Sequence, residues 1–290
     1  MRACEVALVQ LCAGPDPTSN LHRASEWCAK ALDDGAELVV LPEGYAEIPE
    51  PDRAPGCIYD PDAPEAGAAL APFVALSRQH PRALIILGGV PEAIPGERRH
   101  HNVCVVLHAG LVAARYRKIH LFELDIPGQP ALSESRRVAP GREPMLVASE
   151  LGRIGLSICY DLRFPELYRS LVAAGAELLV VPAAFTYTTG LAHWEVLLRA
   201  RAIESQCWVL AAAQWGVHGA GPRRSFGHSM IIDPWGRVVA QLDEGDGLVR
   251  ARIEPEPLVR ARGVLPALEH RVLAAETPAT IVTLSEVSEA

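Results

Sequence analysis

The 290-residue chain has no apolar run long enough to cross a bilayer. Its longest runs, such as "LLVVPAAF" at 178–185, fall far short of the roughly 20 residues a spanning helix needs. The N-terminus lacks a signal peptide's long apolar core and cleavage site. There "MRACEVALVQL" reads as a first strand, so a cytoplasmic protein with no membrane partner is expected. Basic clusters are absent too. The arginines are scattered and the net charge is -8, which excludes the basic footprint of a nucleic-acid partner. No C-x-x-C occurs. Cysteines stand at 4, 12, 28, 57, 104, 159 and 207, odd in number and widely spaced. Neither a disulfide framework nor a zinc site is expected, and most thiols should be reduced, small buried groups. The histidines show no H-x-x-H or H-x-x-x-H spacing, so neither a metal nor another cofactor is called for.

What is present is an ordinary globular composition, 49% apolar and 21% charged, with length for one large domain or two small ones. The chain also repeats itself. "GAELVVLPEGY" at 35–45 matches "GAELLVVPAAF" at 175–185. A helical pattern precedes each, "LHRASEWCAKALDD" and "PELYRSLVAA", and an apolar strand precedes each helix, "VALVQL" and "IGLSIC". Each repeat glycine falls where a helix C-cap is expected. Two such units predict two α/β halves related by an internal pseudo-twofold. Strands apolar almost throughout are covered on both faces, which predicts a four-layer α-β-β-α sandwich. Further strands are read at 82–90, in a hairpin over 101–118 turning at Ala109-Gly110, and in "CWVLAAAQ", "SMIIDPWGRVVAQL" and "GLVRARI". A helix is read over 190–206, a loop over 46–66, and a tail over 272–290 beyond a domain spanning 1–271.

Ligands in open α/β sheets bind beyond the carboxyl ends of strands. Glu43 and Cys159 both stand at such ends, at different stations of the repeat. A thiol needs a base, a positive charge or a helix N-terminus to favour its thiolate. Glu43 is a candidate base, Lys118 a candidate charge, and "CYDLRFPEL" opens a helix near Pro165. Each also has a plain alternative: a packing thiol, a solvated or capping carboxylate, a surface lysine.

Three motifs occur in order, "LPEGY" around Glu43, "YRKIHLF" around Lys118 and "GLSICYDLRFPEL" around Cys159, with "GHSMIIDPWG" nearer the C-terminus. Together they resemble the nitrilase superfamily of carbon–nitrogen hydrolases over residues 3–271, whose fold is the same α-β-β-α sandwich. The resemblance implies a cofactor-free thiol amidase acting on a small-molecule amide, and a homodimer built on helix faces beside the active site. Glu43 is implied as base, Cys159 as nucleophile, and Lys118 with the Tyr160 backbone N–H as oxyanion donors. Glu134 matches a second glutamate that contacts the lysine; Glu123 and Asp125 lie too close after Lys118 to match.

The stretch 184–216 resembles the Nit-protein branch. It implies hydrolysis of the terminal amide of deaminated glutathione or a related 2-oxo-acid amide, with ammonia leaving. The alternative is an omega-amidase acting on 2-oxoglutaramate, or another aliphatic amidase or nitrilase. Arg163 matches a position that binds a 2-oxo-acid carboxylate, the alternative being a pair with Asp161 or Glu166. Phe185 and Thr189 match a substrate-contacting loop, and His193 is either a substrate contact or structural. Gly44-Tyr45 and the 46–66 loop depart from the family pattern and are expected beside the pocket.

Overall fold

The computed structural model describes residues 1–50, 53–61, 67–124, 132–221, 223–272 and 280–283. The first half runs β1 (Cys4–Gln10), α1 (Pro17–Asp33), β2 (Leu38–Val40), α2 (Ala71–Gln79), β3 (Leu84–Ala93), β4 (His100–His108) and β5 (Leu111–Arg117). Two short strands, β6 (Glu123–Leu124) and β7 (Leu132–Ser133), pair with each other. The second half runs β8 (Met145–Ser149), β9 (Gly152–Leu156), α3 (Pro165–Ala173), β10 (Leu178–Val180), α4 (Tyr187–Ser205) and β11 (Trp208–Ala211). A hairpin of β12 (Trp215–Val217) and β13 (Arg224–Phe226) follows. Then come β14 (Ser229–Ile232), β15 (Val238–Leu242), β16 (Gly247–Ile253), α5 (Pro255–Val264) and β17 (Thr280–Thr283).

Among the described residues, the larger sheets have the orders β16-β1-β2-β3-β4-β5 and β15-β14-β11-β10-β9-β8-β17. Side-chain alternation explains why the strands are apolar on both faces. Val6, Leu8, Leu38, Val40, Leu84 and Ile86 join the core that contains the second sheet. Their neighbours Ala7, Val9, Val39, Leu41, Ile85 and Leu87 pack with Ala24, Cys28 and Ala31 of α1 and Phe73 of α2. In the second sheet, Gly155 faces Leu171 of α3. The layers are therefore helix, sheet, sheet, helix.

The two halves correspond in detail. β1 pairs with β2 in parallel, Leu8 beside Val40, and β9 pairs with β10 in parallel, Leu156 beside Val180. Both helices end the same way. Gly35 and Gly175 have φ of +90° and +92°. Their N–H groups donate to Leu32 and Val172 carbonyls, and the next N–H reaches back to Ala31 and Leu171. That is one Schellman cap made twice, in a conformation that favours glycine.

The hairpin turn falls at Ala109-Gly110 as expected. Of the 46–66 loop, residues 51–52 and 62–66 lie outside the described residues. In the remainder, the Glu47 carboxylate accepts from the Gly56 and Cys57 N–H groups at 2.6 and 3.1 Å. Tyr45, expected beside the pocket, instead points into the helix-side core. It is fully buried, meets the Phe73 ring edge-on at 5.2 Å and donates to the Ala69 carbonyl. Of the tail at 272–290, residues 280–283 form β17 on the chain's own second sheet, parallel to β8; 273–279 and 284–290 lie outside the described residues. Among the described residues, no helix is long and apolar enough to cross a membrane.

The halves meet most closely at a bulge in β3, where the register against β4 shifts between Leu87 and Val90. A Cβ on Gly88 would overlap Pro182 and lie 2.5 Å from the Leu41 carbonyl oxygen. One on Gly89, at φ +54°, would lie 2.6 Å from Glu43 Cγ. The bulge lets a strand end of each half approach, and overpacking there has no side-chain end to yield. Gly88→Ala is expected to cost about 1–3 kcal/mol in stability, read from urea denaturation, and to lower turnover through the displaced Glu43. Wild-type stability in this variant would show that the close approach is not required.

Candidate active site

β2 ends at Val40, and three residues later Glu43 projects from the loop over the bulge. β5 ends at Arg117, which places Lys118 immediately beyond its carboxyl end. β9 ends at Leu156, and Cys159 opens a 3-10 turn over Cys159–Arg163 before α3 begins at Pro165. Cys159 is held at φ +47° and its N–H donates to the Pro182 carbonyl at 2.9 Å. A left-handed conformation costs a non-glycine residue roughly 1–2 kcal/mol, and a sharp strand-to-helix turn of this kind lifts a nucleophile off the sheet. The thiol thus stands at the start of a 3-10 turn, and the expected α-helix follows it, opening at Pro165.

The three residues converge. Glu43 Oε1 accepts from Lys118 Nζ at 3.1 Å and Asn102 Nδ2 at 2.9 Å, and Oε2 accepts from the Ala184 N–H at 3.0 Å. The Cys159 thiol and the Glu43 carboxylate each bear on the other's protonation. Glu134 takes the place expected of it, with both oxygens on Lys118 Nζ at 3.0 and 2.9 Å and a further bond from the Phe122 N–H at 2.7 Å. Glu123 instead accepts from the Ser135 N–H, and Asp125 lies outside the described residues. Lys118 is almost wholly buried, its side chain 2% exposed between two carboxylates.

This electrostatic arrangement sets the resting protonation of the thiol and its base. Burial, and then the Glu43 charge, push the Cys159 thiol well above its ordinary pKa; Lys118 and the Ala184 N–H pull down and lose. Burial works to raise the Glu43 carboxyl, but Lys118 and hydrogen bonds from Cys159, Lys118 and Asn102 outweigh it and hold it below 4.5. Lys118 is itself raised well above its ordinary range, because Glu43, Glu134 and Cys159 overcome its desolvation. These shifts favour a neutral thiol beside an ionised carboxylate in the resting site.

Asp161 braces the site from behind. Its buried carboxylate accepts from the Tyr116 hydroxyl at 2.7 Å, the Ile158 N–H at 2.9 Å, and the His120 N–H at 3.0 Å, and it contacts His120 Nδ1 at 2.7 Å. Tyr116 and His120 flank Lys118, and Ile158 precedes Cys159, so one side chain ties the lysine segment to the thiol turn. Asp161 is therefore no partner of Arg163, and among the described residues Arg163 pairs with no carboxylate. Its guanidinium contacts His193 Nδ1 at 3.2 Å and lies 5.0 Å from the Phe185 ring and 5.7 Å from the Tyr160 ring. That places Phe185 and His193 with Arg163. Phe185 is buried against Trp194, and the Thr189 hydroxyl is bonded to Thr186 at 2.7 Å. Tyr160 follows Cys159 in the 3-10 turn. Among the described residues, no group of three or more potential metal-ligating side chains gathers.

Sequence reasoning missed Asn102, Asp161 and Gln214. Gln214 fixes the Glu43 loop, donating to the Glu43 carbonyl at 3.1 Å and accepting from the Ala13 N–H at 2.9 Å. A polar residue ending an apolar strand was the available signal for it, since Gln214 follows "CWVLAAA".

The carbon-nitrogen hydrolase family model matches residues 5–262. A deaminated glutathione amidase from Synechocystis sp. is 40% identical over 277 residues, covering 94% of this chain and 99% of the relative. The deaminated glutathione amidase of Homo sapiens is 44% identical over 281 residues, covering 93% and 83%. The crystal structure of Saccharomyces cerevisiae Nit3, a member of branch 10 of the nitrilase superfamily, aligns with a TM-score of 0.82 at 30% identity, over 94% of this chain and 97% of that one. A match across nearly the whole chain, on the same four-layer fold, makes this protein an amide-hydrolysing member of the carbon-nitrogen hydrolase family, in the nitrilase superfamily.

Proposed function

We propose that the protein hydrolyses deaminated glutathione through a thioester on Cys159. The observation that carries this is the Glu43 carboxylate held between the Cys159 thiol and Lys118 Nζ. Glu43 takes the thiol proton as Sγ bonds to the amide carbon. Lys118 Nζ and the Tyr160 N–H receive the oxyanion, where preorganised donors act most strongly. Glu43 then gives its proton to the amide nitrogen, the C–N bond breaks and the amine leaves. A water yields a proton to Glu43 and adds to the thioester carbon; the C–S bond breaks, the acid is released and the thiol is restored. Glu134, bound twice to Lys118, keeps the ammonium aimed at the oxyanion.

For this substrate the leaving group is not ammonia, as the sequence reading had it. Glutathione is γ-glutamyl-cysteinyl-glycine and contains no primary amide. Removing its amino group leaves a 2-oxo acid joined to cysteine through a secondary amide, so cleavage releases cysteinylglycine and 2-oxoglutarate. Arg163, without a carboxylate partner, is assigned to the 2-oxo-acid carboxylate, for which a guanidinium fork is suited. The same assignment would serve 2-oxoglutaramate, where ammonia does leave, so both substrates belong in one assay. The assembly proposed is a homodimer through helix faces, supported by Leu191, Val196 and Ile203 exposed on α4. The proposed location is the cytoplasm, and the proposed domain ends near residue 271, before a tail at 272–290.

Cys159→Ala is expected to abolish release of 2-oxoglutarate from deaminated glutathione and to leave the circular dichroism spectrum unchanged. Turnover surviving in that variant would overturn the mechanism. Lys118→Arg keeps the charge but replaces a compact ammonium by a planar fork between two fixed carboxylates. The expected loss in kcat is about a hundredfold or more; activity within a few-fold of wild type would remove Lys118 from the oxyanion site.

The pH dependence follows from the working form, a protonated thiol beside an ionised Glu43. Protonating Glu43 removes the base, so kcat/KM falls as pH drops through its folded pKa, below 4.5. The thiol is raised, so its ionisation lies above 9.0. A kcat/KM that stays flat from about pH 5.5 to about pH 8 is expected, with circular dichroism at the acid end separating activity loss from unfolding. An acid limb centred near neutrality would assign the base to another group.

A further inference from the structure

Two neighbouring residues of α4, His193 and Trp194, support the guanidinium of Arg163. Arg163 ends the 3-10 turn that Cys159 opens, so its backbone is tied to the thiol. Its guanidinium lies 5.7 Å from the ring of Tyr160, the residue after the thiol, and 5.0 Å from the ring of Phe185. Phe185 in turn follows Ala184, whose N–H donates to Glu43 Oε2 at 3.0 Å. The rings beside the guanidinium therefore belong to residues next in sequence to the thiol and to a donor on Glu43. These contacts place Arg163 next to the reaction centre.

α4 is fixed against this turn. The buried Arg201 donates through Nε and Nη2 to the Leu162 carbonyl at 3.0 and 2.7 Å, immediately before Arg163. His193 and Arg201 are a little over two helical turns apart, so both share the face that meets the 3-10 turn. Trp194 is fully buried. Its indole N–H donates to the His228 carbonyl at 2.8 Å, and its ring centre lies 5.0 Å from that of Phe185. Trp194 thus holds the ring beside the guanidinium, and His193 meets the guanidinium itself, Nδ1 to Nη1 at 3.2 Å. A guanidinium has donors and no acceptor, so Nδ1 must be the acceptor, and the imidazole carries its proton on Nε2. Among the described residues, the other N–H groups of Arg163 have no protein partner.

We propose that His193 is a positioning residue, whose Nδ1 holds the Arg163 guanidinium in the orientation that receives the 2-oxo-acid carboxylate of the substrate. The inference rests on the reading of Arg163 as the carboxylate's partner. A long side chain with no ion pair samples many rotamers, and ordering it on binding weakens affinity. Ring contacts restrain a guanidinium but let it slide and turn. A hydrogen bond from Nη1 removes that freedom, because the N–H lies in the guanidinium plane, and it leaves other N–H groups for a bidentate carboxylate. The acceptor is also of a suitable kind. A carboxylate in the place of His193 would neutralise Arg163 and compete with the substrate. An imidazole nitrogen orients the guanidinium and leaves its charge intact.

The test measures cysteinylglycine released from deaminated glutathione and from its analogue in which the 2-oxo-acid carboxylate is a carboxamide. In His193→Leu, KM for the acid is expected to rise about tenfold, the size of one hydrogen bond to a charged group. The kcat and the carboxamide rate should change far less. His193→Asn sets an oxygen acceptor near the place of Nδ1 and should restore most of the affinity. In an Arg163→Met background, His193→Leu should have no further effect on KM, because the group it positions is gone. Equal losses on both substrates, an Asn variant no better than Leu, or a loss that persists in the Arg163→Met background would each overturn the proposal. So would a wild-type KM in His193→Leu, in an enzyme that still favours the acid; that outcome leaves the carboxylate reading standing. The reading itself is tested in the wild type. An enzyme that does not favour the acid over the carboxamide, or is inactive on deaminated glutathione, removes the reading and this proposal together.

Discussion

The structure depends on one carboxylate, that of Glu43. Its two oxygens take a lysine, an asparagine amide and a backbone N–H, and it faces a thiol, the four contributed by separate stretches of chain. A partly buried carboxylate left without partners is costly, and one buried beside a lysine is strongly destabilised when the partner is lost. The two sheets must therefore present those donors at fixed positions. The glycine bulge at 88–89 makes room for the approach, Gln214 holds the Glu43 backbone, and Asp161 locks the lysine segment to the thiol turn. None of these three devices needs to touch substrate. Each fixes the position of a group that the proposed mechanism uses.

The charge balance of the site explains its resting state. Two carboxylates face one ammonium, so the set already carries an excess negative charge before the thiol is considered. Ionising Cys159 would add a second excess charge beside Glu43 in a desolvated place, and the raised thiol pKa reflects that cost. In the proposed mechanism the proton is therefore kept on sulfur until an amide carbonyl arrives. The developing oxyanion then meets Lys118, and the sulfur is losing charge to the new bond as fast as it gains it from the proton transfer. Deprotonation is favourable only in step with attack, which suits a base that must later return the same proton to a departing nitrogen.

Much of this was legible in the sequence because its signals are local. The repeated "GAEL" marks a glycine cap that each half needs, and the apolar strands record burial on both faces. The motifs around Glu43, Lys118 and Cys159 named three of the residues that converge, and the family resemblance added Glu134. Other features were not legible because they depend on segments distant in sequence. Asn102 reads as the polar start of a strand until Glu43 and Glu134 close on it. Asp161 reads as a salt-bridge partner for nearby Arg163 until Tyr116 and His120 take its oxygens. The resting state of the thiol was not legible either, since burial and the Glu43 charge are properties of the assembled site. Helices α2 and α5 are short amphipathic segments of nine and ten residues, too brief for a periodic pattern to stand out. Tyr45 was placed by its closeness to Glu43 in sequence, but Gly44 at φ +68° turns the chain between them.

The duplication bears on how the chemistry is divided. Val40 and Val180 occupy one station of the repeat, and Leu8 and Leu156 another. Three residues beyond the first station stand Glu43 in one half and Ala183 in the other. Three beyond the second stand Leu11 and Cys159. Each half thus supplies one polar side chain of the candidate site, at the station where its counterpart is a buried apolar residue. The apolar stations are not idle. Ala183 bridges to Ala213, which sets the following N–H, that of Ala184, on Glu43 Oε2 at 3.0 Å. Leu11 bridges to Gln214, which in turn holds the Glu43 carbonyl. Where the second copy gives up a carboxylate it presents main chain to the carboxylate of the first. A pseudo-symmetric frame thereby yields an asymmetric site, because the template fixes where a strand end points while the residue at that end decides whether it reacts or supports.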